Sequence, residues 1–99
     1  MAQIAVLAQV DIDPAQKEAF DARARKHSAD SQDNEEGCLM FQVNSVEDNP
    51  NQYVMYEIYV DKDAVDIHMN SDHMKAFRSD TANMVQDRVI TILDVVTEV

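Results

Sequence analysis

The sequence predicts an α+β domain with the element order β-α-β-β-α-β: one antiparallel sheet carrying its helices on a single face. Three observations lead there. Apolar residues alternate at period two in four separate runs, and the middle two are divided only by turn formers. Helical stripes fill the two long stretches between the runs. One glycine and two prolines in 99 residues leave little room for irregular segments, so residues 1–99 read as a single domain.

The first run, "QIAVLAQVDI" (3–12), puts Ile4, Val6, Ala8 and Val10 on one face and Ala5, Leu7 and Gln9 on the other. Both faces are largely apolar, as in a strand buried on both sides. "DPAQ" (13–16) is a helix start, with Asp13 as cap, Pro14 at the first helical position and Gln16 able to close a capping box. Phe20, Ala24, His27 and Ser31 then recur on one helical face, so the helix runs over 14–33 and stops before Gly37. "GCLMFQV" (37–43) is the second strand, with Leu39, Phe41 and Val43 on one face. "SVEDNPNQ" (45–52) is a turn, and "YVMYEIYVD" (53–61) completes a hairpin. Its two faces are Tyr53, Met55, Glu57 and Tyr59 against Val54, Tyr56, Ile58 and Val60. A helix covers 61–69. "NSDH" breaks it and recaps a second segment at Ser71, which continues through Met74, Phe77 and Val85. The β-branched "RVITILDVVTEV" (88–99) is the last strand. This order is the ferredoxin-like split βαβ.

Composition narrows the partners. Eight basic residues against 19 acidic ones give a net charge of −11. Such a surface repels phosphate backbones and anionic membranes, so neither nucleic acid nor a membrane is an expected partner. The basic cluster "RARK" (23–26) reads as a solvated helix face. A single cysteine, Cys38, fits a reducing compartment and has no basic sequence neighbour to activate it. No basic leader precedes the first apolar run and no stretch reaches membrane-spanning length, so the expected location is the cytoplasm. The methionines at 40, 55, 69, 74 and 84 read as adaptable packing. An uncovered sheet face bearing Val54, Tyr56, Ile58 and Val60 calls for a cover. The simplest is a second copy, giving a homodimer.

The candidate chemistry centres on Glu57, His68, His73 and His27. A carboxylate on the helix-facing side of a sheet needs a partner or a raised pKa. Glu57 with a histidine could act as a general base or simply tie helix to sheet. The same stripe that carries Phe20 turns His27 inward. His68 and His73 lie five apart, roughly 140° round a continuous helix, whereas a zinc pair wants a spacing of four. A break at Asn70–Ser71 could bring them together, but nothing requires it, and neither metal nor cofactor is expected. His73, beside a helix start, reads as a rim or capping residue. Tyr59 and Phe41 can stack on a planar substrate.

"EEGCLMFQV" (35–43) and "YEIYVDKDAVDIHMNSDHMKAF" (56–77) resemble the antibiotic biosynthesis monooxygenase family: an acidic-Gly-Cys-Leu segment, a strand with Glu and an aromatic two residues on, and a helix with His, Ser-x-His and a following aromatic. The resemblance implies a dimeric α+β barrel with a small-molecule pocket between helices and sheet. Glu57, His68 and His27 would be catalytic residues there, and Phe41, Tyr59, His73 and Phe77 substrate contacts. It also implies a choice of chemistries. One is cofactor-independent monooxygenation of an electron-rich aromatic such as a quinol, with His68 as base oriented by Glu57. The alternative is isomerisation of a small phosphorylated hydroxy-ketone, with Lys75 and Arg78 as phosphate anchors. A non-catalytic small-molecule-binding dimer stands as a third reading. Haem degradation is disfavoured by the absence of tryptophan.

Overall fold

The computed structural model describes residues 2–99. Strand β1 (Ile4–Ile12) leads through a 3-10 turn (Pro14–Gln16) into helix α1 (Lys17–Asn34). The hairpin of β2 (Cys38–Val46) and β3 (Asn49–Tyr59) follows, then α2 (Lys62–Met69), α3 (Asp72–Thr81) and β4 (Val85–Asp94). The sheet runs β2-β3-β1-β4 with every neighbouring pair antiparallel, the ferredoxin-like arrangement expected.

Register decides what the helices cover. Val6 lies opposite Glu57 on one side and Ile92 on the other, and Glu57 lies opposite Phe41. One sheet face therefore gathers Val6, Ala8, Val10, Phe41, Tyr53, Met55, Glu57 and Tyr59, all buried. Helix α1 covers it with the predicted stripe of Phe20, Ala24, His27 and Ser31. Phe20 packs against Tyr53 and Phe77, with ring centroids 5.0 and 6.2 Å apart.

Several boundaries moved, each for a local reason. Asp13 caps as expected by accepting from Ala15 N–H, but Gln16 makes no side-chain cap bond, so no capping box forms. The turn at 45–52 contracts to Glu47–Asp48 because the hairpin ladder continues to the pair Val46–Asn49. Helix α3 stops at Thr81 rather than reaching Val85, which pairs instead with Ile12 and opens β4. That strand ends at Asp94, opposite Ile4, where β1 begins and no further partner remains. Ile67 on α2 is 64 % exposed. The buried side of α2 is Ala64, Val65 and His68. Arg23 leaves the solvated "RARK" face: it binds Asp80 and lies over the Phe77 ring.

The opposite face of the sheet is partly covered by the chain itself. Val95 N–H donates to the Gln3 carbonyl, and Val99 N–H donates to the Gln3 side-chain oxygen. This draws residues 95–99 past Ala5, Met40, Tyr56, Ile58 and Leu93, and Ile58 is buried. Val89, at 52 % exposure, remains open on that face. Among the described residues, no helix is long and apolar enough to cross a membrane.

Candidate active site

Helix α1 ends at Glu35, whose backbone N–H closes on the Ser31 carbonyl. Two residues on, Gly37 faces α2: a Cβ built there would stand 2.5 Å from Ala64 Cβ. The absent side chain lets α2 approach, and the last turn of α2 delivers His68 to Glu35. Ser71 then stops one helix and starts the next. Its hydroxyl donates to the His68 carbonyl and accepts from Met74 N–H. The break reorients the chain so that His73, in the first turn of α3, also turns inward.

Both imidazoles reach one oxygen. His68 Nδ1 lies 2.8 Å and His73 Nε2 2.5 Å from Glu35 Oε2. An ionised carboxylate only accepts, so each nitrogen facing it carries the proton. For His68 this leaves Nε2 bare, 3.9 Å from Glu57 Oε1, too far for a hydrogen bond. Glu57 has its own donor in the Tyr59 hydroxyl, at 2.6 Å. Glu57 and His68 therefore face the same cavity without a direct bond, and each has its own partner, Tyr59 for Glu57 and Glu35 for His68. His73 is a partner in the network rather than a rim or capping residue. All three histidines of the chain converge here. His27 lies 5.3 Å from His68 and 5.9 Å from His73 between ring centroids, and stacks on Phe77 at 4.2 Å.

The electrostatics follow from burial. Desolvation raises Glu57 to about 7, against a smaller opposing effect of the Tyr59 hydrogen bond. Desolvation lowers His27 to about 3, helped by the nearby His68 and His73. It also lowers His68, but the Glu35 hydrogen bond and charge push back. Burial, then Glu35 and Glu57, pushes the Cys38 thiol up to about 12, which keeps it protonated.

A cavity of about 30 Å³, room for a water or two, opens between these groups. Val6, Met55, Glu57 and Phe41 form its floor; His27, His68 and Phe77 form its walls. Met69, Met74, Arg78, Arg88 and Ile90 surround its mouth. Of the expected substrate contacts, Phe41 and Phe77 line this space directly. Tyr59 and His73 stand one layer behind, holding Glu57 and Glu35. Lys75 is exposed and does not line the cavity, whereas Arg78 does.

Glu35, His68 and His73 offer two imidazoles and a carboxylate within 4.8 Å of one another, a donor set a divalent ion could accept. Tetrahedral ligands about 2.0 Å from zinc would stand roughly 3.3 Å apart. Here the nitrogens touch the carboxylate directly, the spacing of hydrogen bonds. Glu35 Oε1 is buried with no partner.

Sequence reasoning did not single out Glu35 or Arg88. Glu35 carried one signal, an acid just before the chain's only glycine at the start of a strand. Arg88 carried another, a charge at the same parity as Ile90 and Ile92 on the helix-facing side of its strand.

The family whose sequence model matches is described as antibiotic biosynthesis monooxygenase, over residues 3–80. The chain belongs to the antibiotic biosynthesis monooxygenase family. Solved structures of the same shape agree. A Caulobacter crescentus protein provisionally assigned to antibiotic biosynthesis monooxygenases is 29 % identical, with a TM-score of 0.92 over 97 % of this chain and 92 % of its own. A Nitrosomonas europaea protein with the same provisional assignment shares the fold at 21 % identity and TM-score 0.90, covering 95 % and 90 %. A conserved Methanosarcina mazei protein is 26 % identical, with TM-score 0.86 over 94 % and 92 %. No curated protein of known function matches the chain.

Proposed function

We propose that this antibiotic biosynthesis monooxygenase family member is a cofactor-independent monooxygenase acting on a small electron-rich aromatic of the quinol type. The observation that carries the reading is the Glu35–His68 hydrogen bond beside an apolar cavity: with the proton on Nδ1, a bare Nε2 is left to face that cavity. His68 Nε2 takes the phenolic proton, and the Glu35 carboxylate stabilises the imidazolium formed. Glu35 thus takes the orienting role expected of Glu57. The quinolate passes one electron to O2, and the two radicals join at a ring carbon. The resulting peroxide takes the proton back from His68. The O–O bond then breaks as the ring C–H hydrogen leaves with the distal oxygen as water. The sum is quinol + O2 → hydroxyquinone + H2O, with all four electrons from the substrate. Glu57, near neutrality and held by Tyr59, shares the proton as it moves.

The carbonyl isomerase alternative uses the same base and would draw on Arg78 as its phosphate anchor. The working unit is a homodimer closed over the apolar sheet face. Oxygen uptake with hydroquinone tests the main reading, and His68→Ala should lower turnover by roughly 10²–10⁴ without unfolding the chain. Absence of oxygen uptake with any quinol, or full activity in His68→Ala, would remove it.

A further inference from the structure

The four arginines of this acidic chain divide into two pairs. Arg23 and Arg25 are neutralised by Asp80 and Asp21. Arg78 and Arg88 have no carboxylate within ion-pair distance among the described residues, although the chain carries 19 acids. Arg78 reaches only the Met69 sulfur, at 3.7 Å, and an Asp87 carboxylate oxygen next to Arg88 is occupied by the Arg88 backbone N–H. These two free guanidinium groups line the same cavity, one from α3 and one from β4. Arg88 lies opposite Val10, on the sheet face that carries Glu57. Arg78 is close enough for its charge to act on His68.

A chain with net charge −11 that leaves two arginines unneutralised at a cavity mouth has built a local positive rim. Planar guanidinium groups match a carboxylate or phosphate two bonds at a time. The interior has the opposite character, since Glu57 on the floor and the His68 nitrogen on the wall can receive protons. The cavity is therefore polarised along its depth.

We propose that Arg78 and Arg88 form an oxyanion clamp, and that the ligand is an aromatic with a proton-bearing hydroxyl at its inner end and a carboxylate or phosphate at its outer end. This deepens the reading of the cavity as a substrate site and rests on it. The ligand enters by displacing Met69 and Met74, whose unbranched side chains adapt at low cost.

The test uses three matched probes: hydroquinone, its carboxylated form gentisate, and 4-hydroxyphenyl phosphate. Each is titrated into the full chain while the ring protons of the three histidines are followed by NMR. At least one anionic probe should bind about tenfold or more tighter than hydroquinone, as charge-assisted contacts provide. The stronger of the two assigns the oxyanion. In an Arg78→Gln/Arg88→Gln variant the ratio of affinities should fall to about one. Equal affinities in the unaltered chain, a preference that survives the double substitution, or no binding of either anion would each overturn the clamp. Arginine-dependent binding without oxygen uptake would keep the clamp and remove the monooxygenase reading. Oxygen uptake with no preference for charge would do the reverse.

Discussion

Replacing Glu35 with glutamine changes one atom of the site and should alter both stability and chemistry. The carboxylate accepts from two imidazoles through one oxygen, and Glu35 is buried. Charge-assisted hydrogen bonds contribute about 1.5–3 kcal/mol each. An amide oxygen in that place can still accept from both rings, and the NH2 then falls where Glu35 Oε1 lies buried without a partner. Both bonds lose their charge assistance, and a buried donor is left without an acceptor. Relief from desolvating a buried charge offsets part of the loss. The net cost should be ~2 kcal/mol, which lowers the unfolding midpoint of a domain this size by about 8–16 °C. The sharper readout is the tautomer and titration of His68. With only three histidines, ring-nitrogen NMR resolves each one. In the unaltered protein His68 should carry its proton on Nδ1, and in Glu35→Gln, with the negative charge gone, it should take up a second proton only at lower pH than in the parent. A proton on Nε2 of His68 in the unaltered protein would refute the reasoning at its root. So would a variant that melts within two or so degrees of the parent with an unchanged His68 titration.

Three further outcomes are expected. Glu57 titrates about 7 in the folded chain against an ordinary value of 4.5, so its contribution to stability is complete below about 4.5 and is lost as pH rises through 7. Glu57→Gln removes that loss, and the stability of the variant relative to the parent should rise by about 3 kcal/mol between pH 4.5 and 8, read from denaturant titrations at each pH; a constant difference would contradict the burial argument. His27 runs the opposite way, losing stability as pH falls from 6.5 toward 3, but it is present in both proteins and cancels. Sedimentation at micromolar concentration should give about 22 kDa, twice the 11.2 kDa chain, and a well-folded monomer would contradict the covered sheet face. Elemental analysis of protein prepared without chelators should find only substoichiometric metal; one equivalent, lost together with thermal stability on chelation, would recast Glu35, His68 and His73 as ligands.

What the sequence made legible was periodic. The alternation of Tyr53, Met55, Glu57 and Tyr59 placed a carboxylate on the helix-facing side, and the α1 stripe placed His27 above it, because both depend only on residue spacing. Ser71 as a recapping residue followed from side-chain chemistry alone. Partner choice was not legible. Glu57 and Tyr59 share a face two residues apart, and the pair formed within one strand. Glu35 and His68 are separated by 33 positions and meet only because two element ends converge. The limits of β4 were equally hidden, since they are set by where β1 begins and ends.

Gly37 has a consequence for how this sequence can drift. Its carbonyl accepts from Val60 N–H, and its missing side chain is the space that Ala64 occupies. Enlarging either residue would lever the start of α2 away from the strand, and the displacement would propagate to His68, four residues along. Positions 37 and 64 are therefore sterically coupled. Across relatives, a larger residue at 37 should appear only with glycine at 64 or with a refitted α2. Lineages that break the pairing should also lose the Glu35–His68 geometry, so a relic of lost activity could be recognised two residues from the acid itself.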